Sequence, residues 1–249
     1  MSIIFDAALD KSCICCIVPM HGGSWMSPLR QGVVWPSPVA GYTGDCEAER
    51  LGLIEKYRIS ANQYFTRSSL STNDDAYIKT ALDFRGLTTS KTFVCQMQTD
   101  YDSNGGEKII PLISQGNPSH NTASYIVFAL QVWQHPTLAR FNVSLGDRLY
   151  GANYAIPDSF DWNIFHTYVG KIDFSSHIIR LYVDGILRGQ DSFSGNALST
   201  IDIVPESMIP NKICINYDMA GSYNNGTRKT AYAMIFDGIK SDAEIEAFK

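Results

Sequence analysis

The sequence predicts an all-β protein: an antiparallel β-sandwich or barrel with one short C-terminal helix. Three observations carry this. Short runs rich in β-branched and aromatic residues recur at regular intervals from Tyr57 onward, each bounded by Gly, Pro, Asn or Asp. Within His177 to Val183, Ile179, Leu181 and Val183 fall on one face and Arg180 and Tyr182 on the other, the alternation of a half-buried strand. Asp184-Gly185 then supplies the positive-φ positions of a two-residue hairpin turn, and Ile186 to Gly189 returns.

A chain of 249 residues suffices for one large domain, and no linker-like stretch divides it. Residues 1–56 read as an irregular N-terminal segment packed on the sandwich or docking beside it, and 57–249 as the sandwich. The segment opens with two β-like runs, IIFDAAL and CICCIVPM. His21 to Cys46 is loaded with Gly, Pro and Ser and reads as turn-rich chain anchored by Trp25 and Trp35. Glu47 to Lys56 has the composition of a short helix, weakened by Gly52.

Tyr57 to Phe65 and Ala76 to Phe84 read as opening strands. Thr92 to Thr99, Lys108 to Ser114, Tyr125 to Gln134 and Arg140 to Leu145 follow. Cys95 shares a face with Phe93 and Met97, where a small buried hydrophobe belongs. The nearly all-apolar YIVFALQVW suits a central strand covered on both faces. Phe165 to Ile172 precedes the run from His177. Ala197 to Val204, Asn211 to Tyr217 and Lys229 to Phe236 complete the strands. The helix is announced by Ser241 as N-cap with Glu244 three residues on, a capping box, and by Ile245 and Phe248 on one side.

A net charge of −5 argues against nucleic-acid or anionic-membrane partners. The N-terminus lacks a basic n-region, Asp6 interrupts its apolar run, and no apolar run approaches the ~20 residues of a membrane span. The expectation is a chain folded in a cytoplasm without a signal peptide and without membrane insertion. Six cysteines form no framework: Cys13, Cys15 and Cys16 crowd one run and Cys46, Cys95 and Cys214 are scattered, so free buried thiols are expected. C-x-C-C is not a structural zinc spacing. The sequons at Asn142 and Asn225 read as chance matches.

The meander WNIFHTYVGKIDFSSHIIRLYVDG, from Trp162 to Gly185, resembles the central strands of laminin-G-like and concanavalin A-like jelly rolls. AYAMIFDGIKSDAEIEAF, from Ala231 to Phe248, resembles the same group's closing strand and short helix. The resemblance implies a jelly-roll β-sandwich. It leaves function open, because the fold hosts lectins, adhesion modules, glycosidases and virion parts. It also implies ligands on a concave face and its rim, with calcium at the rim in many members.

Three groups are candidate sites. Asp100, Asp102 and Asn104, in DYDSNGGE, open like a calcium loop; Pro111 at the twelfth position and the strand-like flanks exclude an EF-hand, and a polar hairpin loop is the plainer reading. Asn216, Asp218, Tyr223 and Asn224 combine amides and a ring suited to sugar hydroxyls, in what is otherwise a long Asn/Gly hairpin loop. Trp133, Tyr150, Tyr154 and Trp162 are aromatics that would fit a ligand face if exposed, although a single Trp commonly lies in the core. No E-x-D-x-E pair of carboxylates and no G-x-S-x-G elbow occurs, and His166 reads as structural. The expected function is therefore non-catalytic recognition of glycan. By resemblance the setting is a bacteriophage virion surface (tail fibre, baseplate or capsid), with homo-oligomer or other virion proteins as partners. A structural assembly protein without a glycan ligand and a glycosidase or lyase are the alternatives.

Overall fold

The structure, a computed structural model, describes residues 12–17, 47–51, 57–59, 65–67, 75–79, 82–99, 109–116, 122–134, 137–200, 213–215 and 228–248. The strands are β1 (Cys13–Ile17), β2 (Glu47–Leu51), β3 (Tyr57–Ile59), β4 (Phe65–Arg67), β5 (Asp75–Lys79), β6 (Lys91–Thr99), β7 (Ile109–Gly116) and β8 (Ile126–Gln134). They continue with β9 (Thr137–Leu145), β10 (Arg148–Ala155), β11 (His166–Asp173), β12 (Ile178–Val183), β13 (Ile186–Ser192), β14 (Cys214–Ile215) and β15 (Arg228–Asp237), and the chain closes on α1 (Asp242–Glu246).

Two antiparallel sheets form the sandwich. The first runs β13-β12-β11-β6-β15-β4-β3, with β1 also on β15; the second runs β10-β9-β8-β7-β14-β5-β2. Side-chain alternation decides what each sheet turns inward. Phe93 of β6 meets Phe128 of β8 at 4.5 Å between ring centroids and Phe141 of β9 at 5.5 Å, with Phe84 at 6.1 Å from both Phe93 and Phe128. Cys95 and Met97 follow Phe93 into the same core, and Ile179, Leu181 and Val183 extend it along β12. β8 is buried along its whole length. Asp184 and Gly185 both adopt positive φ, 52° and 75°, and close the β12–β13 hairpin.

The far face of the first sheet is apolar too. Val94, Val169, Tyr182, Tyr232, Met234 and Phe236 form a second cluster with Ile245 and Phe248. Ser241 and Glu244 make the capping box, and Lys171 Nζ donates to Asp242 (3.1 Å) and to the Lys240 carbonyl (3.0 Å) beneath it.

Several elements differ from expectation. Glu47–Leu51 is a strand, not the start of a helix: it pairs along β5, and nonlocal pairing outweighs a weak local helix preference. Tyr57 to Phe65 divides into β3 and β4, which pair with each other, Ile59 opposite Phe65. Ala197–Thr200 is irregular, held by Leu198 N–H to the Leu87 carbonyl and Ser199 N–H to the Ser144 carbonyl (both 2.8 Å), while 201–212 lie outside the described residues. The run CICCI is a sheet strand. A bulge between Cys13 and Cys15 lets these neighbours serve the two opposite clusters. Cys13, Cys15, Cys95 and Cys214 are buried and form no disulfide. Asn142 is fully buried within β9, so that sequon offers no acceptor.

Gly170 is a point of close approach between the sheets. A Cβ there would lie 2.6–2.8 Å from the Phe141 ring, which is itself fully buried against Phe93. Gly170→Ala should therefore destabilise the fold by about 1–3 kcal/mol through overpacking, read as a lower denaturant midpoint at unchanged slope.

Candidate functional site

β10 and β13 end their respective sheets in the described strand order, and the two edges meet. A Cβ on Gly189 would stand 2.4 Å from the Asn153 carbonyl oxygen and 2.9 Å from its nitrogen, so only glycine lets β13 cross β10 at this distance. Asp191 carboxylate accepts Gly151 N–H across the seam (3.3 Å). Tyr150 and Tyr154, four residues apart on one side of β10, are separated by about 13 Å along the strand. Both are half-buried against the core. The Tyr150 hydroxyl pairs with Ser194 Oγ at 2.8 Å. Arg188 lies over the Tyr154 ring at 5.0 Å and Arg148 over Tyr150 at 6.0 Å. On the other face of β10, in the row of Arg140 and Gln131, the exposed Asn153 accepts from Arg140 Nε (2.8 Å) and donates to the Gly151 carbonyl (3.0 Å). One edge thus carries two rings, a carboxylate and two exposed guanidinium groups, with the Asn153 amide on its reverse face.

Trp133 is not among them. Tyr154 pairs with Ala139, and Ala139 with Val132, in a row that faces the core; Trp133 and Leu138 form the next row, on the opposite face. Trp133 is 9% exposed, with the Arg140 guanidinium over its ring at 5.0 Å. It is thus no open stacking platform. It shares its face with Gln131, Arg140, Asn142, Ser144 and Ser114, where the core face of the same strands carries Phe128, Leu130, Val132, Phe141 and Val143. Ser114 Oγ, both amide atoms of Gln131, Trp133 Nε1 and Ser144 Oγ are buried and meet no hydrogen-bond partner among the described residues. Each such atom costs about 1–3 kcal/mol if left unsatisfied.

Trp162 is in the core. Asp100, Asp102, Asn104, Asn216, Asp218, Tyr223 and Asn224 lie outside the described residues. Among the described residues no three His, Cys, Asp or Glu side chains converge to hold a metal ion. Arg188, Asn153, Asp191, Gln131 and Arg140 were not singled out from the sequence. Their signal was the Gly146-Asp147 pair: Gly146 has φ 62° and Arg148 pairs with Leu145, so LGDR is a two-residue hairpin turn that would have exposed β10 as a strand.

No protein-family model matches the chain, and no curated protein matches it either. Solved structures do. The binding domain of botulinum neurotoxin serotype D is similar at TM-score 0.65 and 11% identity over 97% of this chain and 51% of that one. Botulinum neurotoxin type C, which depends on interaction with two ganglioside molecules to enter cells, is similar at 0.64 and 12%, over 97% and 52%. The binding domain of botulinum neurotoxin DC in complex with SialylT is similar at 0.64 and 10%, over 95% and 50%. The chain spans about half the length of these structures, and at such identity the likeness establishes the fold.

His166, at the end of β11 nearest this seam's hairpin, is committed to structure. Its Nδ1 meets the Asp184 carboxylate at 2.7 Å and its Nε2 the Asp161 carbonyl at 2.8 Å, while Phe160 stacks on the ring at 3.9 Å. A carboxylate and a carbonyl both accept, an arrangement that favours the doubly protonated imidazole. Burial opposes that charge, but the Asp184 carboxylate and the Asp161 carbonyl outweigh it, and the pKa is raised. For Asp184 burial is likewise outweighed, by His166 and the Thr167 N–H (3.0 Å), and its pKa is lowered. The raised histidine stabilises fully below its unfolded pKa of about 6.5 and loses that contribution as pH rises through the folded value. The lowered aspartate stabilises above its unfolded pKa of about 3.9 and loses it as pH falls. Stability from this pair should therefore peak between those values and decline toward pH 9. Asp184→Asn should flatten that decline in denaturation series run at pH 5.5 and 9.

Proposed function

We propose that this domain recognises carbohydrate without catalysis, and that the β10–β13 seam is the contact surface. One observation carries the reading. Tyr150 and Tyr154 stand beside Asp191 and Arg188 on a single edge, with the exposed Asn153 on its reverse face. A tyrosine face packs on the apolar face of a pyranose, and planar amide, carboxylate and guanidinium groups bind pairs of neighbouring hydroxyls. The neurotoxin structures support the reading only through the shared fold; SialylT and ganglioside are contacts of those proteins. The loop of Asn216, Asp218, Tyr223 and Asn224 belongs to the proposal as a further sugar contact, and Asp100, Asp102 and Asn104 as a calcium loop. A virion-surface setting rests on the sequence resemblance.

A second reading, a structural assembly protein, is favoured by one feature. Ile186 (49% exposed) and Leu187 (44%) sit side by side at the start of β13, an apolar pair that a neighbouring subunit would cover.

A glycan array, with mass in solution recorded alongside, tests the first reading. Arg188→Ala alters an exposed side chain, so folding should be preserved. It should weaken binding about tenfold, the scale of a lost contact of ~1.4 kcal/mol. No saturable binding by the wild-type chain, together with a discrete oligomer, would move the function to assembly.

A further inference from the structure

We propose that the β10–β13 seam selects a linear polysaccharide in which acidic and neutral sugars alternate. The proposal rests on the carbohydrate reading above and adds the charge pattern that the ligand must match.

The two arginines of the seam stand apart from the basic groups that brace the fold. Arg85, Lys91, Lys171 and Lys240 each meet a carboxylate at 2.6–3.2 Å. Arg148 and Arg188, both exposed, meet none at ion-pair distance among the described residues. Each lies instead over a tyrosine, Arg148 over Tyr150 and Arg188 over Tyr154. Asp184 is close enough to Arg188 to feel its charge, but its two oxygens are taken by His166 and the Thr167 N–H. A ring holds a guanidinium by its face and leaves the in-plane N–H donors for a ligand. That fork fits a carboxylate through two parallel hydrogen bonds, which a lone hydroxyl does not match.

The order of charges along the seam sets the pattern. Gly189 packs on the Asn153 backbone and Asp191 accepts from Gly151 N–H, so the two strands pass each other in opposite directions. From Tyr154 toward Tyr150 the seam therefore carries Arg188, then the Asp191 carboxylate, then Arg148. The tyrosines are about 13 Å apart along the strand, more than a single pyranose ring spans. A carboxylate at each end of that span would meet an arginine. An acidic group between them would face Asp191, and like charges at short range disfavour each other. Asp191 is fixed at this middle position, one oxygen on Gly151 N–H (3.3 Å) and the other on Ser192 N–H (2.9 Å). Its remaining lone pairs suit the hydroxyl groups of a neutral sugar. Acid, neutral, acid is the sequence this seam accepts.

Pattern makes the selection here, not charge as such. Asp147 and Asp191 offset the two arginines locally, and the whole chain carries a net −5. A polyanion finds no broad attracting field and gains only where its acids coincide with both guanidinium groups.

The test uses the full chain and three end-labelled octasaccharides, followed by fluorescence anisotropy. They are hyaluronan, with a carboxylate on alternate sugars, the same chain with its carboxylates reduced to alcohols, and oligogalacturonate, with a carboxylate on every sugar. Hyaluronan should bind at least about tenfold more tightly than either, the scale of one charge-assisted pair. Arg148→Gln and Arg188→Gln alter exposed side chains and should each remove that advantage. Arg180→Gln, the same charge change on the outer face of the first sheet, should leave it intact. Asp191→Asn keeps an acceptor for Gly151 N–H and should raise the affinity for oligogalacturonate. Equal binding of hyaluronan and its reduced form overturns the proposal. So does an advantage that survives either seam variant, or one that is lost in Arg180→Gln. Unchanged oligogalacturonate binding in Asp191→Asn overturns the alternation. Binding of neutral array glycans that Arg188→Ala weakens, without preference for the alternating acid, would keep the carbohydrate reading and remove this one. Failure of every sugar to bind, neutral or acidic, would remove both.

Discussion

Phe93 set against Phe128 and Phe141 fixes how the two sheets face each other, and the remaining geometry follows from that contact. Once these rings point inward, strict alternation assigns every other residue of β6, β8 and β9 to a face. Cys95 and Met97 must be in the core; Val94 must be outside it. On β8, Phe128, Leu130 and Val132 go in, so Gln131 and Trp133 go out. Gly170 belongs to the same constraint, because any side chain there would press on the Phe141 ring and open the sandwich. The contact thus decides both what is stable and which residues remain to act.

The outer face of the first sheet shows what a purely structural solution looks like. Its apolar patch is closed by α1, and buried lysines are fully engaged. Lys171 lies 4.6 Å above the Tyr182 ring and reaches Asp242, which also accepts the Tyr182 hydroxyl at 2.7 Å. On the core side of the same sheet, in the row of Ile172, Lys91 is fully buried and bonds Asp237 at 2.6 Å and also Thr89. Burying an ammonium group is costly unless such partners are supplied, and here they are. His166 follows the same rule through Asp184 and Asp161. Measured against these satisfied groups, the atoms of Gln131 and Trp133 that meet no partner among the described residues are the exception.

Much of the fold was legible because it is written in short-range pattern. Alternation placed Cys95, Ile179, Leu181 and Val183; Asp184-Gly185 announced a turn by its need for positive φ; Ser241 and Glu244 announced a cap by spacing alone. What was not legible depends on pairing between distant residues. Glu47–Leu51 becomes a strand only because β5 lies beside it. The site was legible in part. Tyr150 and Tyr154 were named for their chemistry, but Trp133 was grouped with them because proximity in sequence was taken for a shared face. The row from Tyr154 through Ala139 to Val132 leaves Trp133 one residue out of phase. The approach of β13 to β10 has no local signature except Gly189, whose missing side chain gains meaning only beside the Asn153 backbone.

Asn153 ties the seam to the outer face of the second sheet. Its backbone is the point against which Gly189 closes the seam, and its side chain, on the face opposite the tyrosines, holds Arg140, whose guanidinium lies over Trp133. A sandwich whose core leaves so little slack has few ways to connect its faces, and a hydrogen bond at the rim, outside the packed interior, is one it can exchange without disturbing Phe93, Phe128 and Phe141.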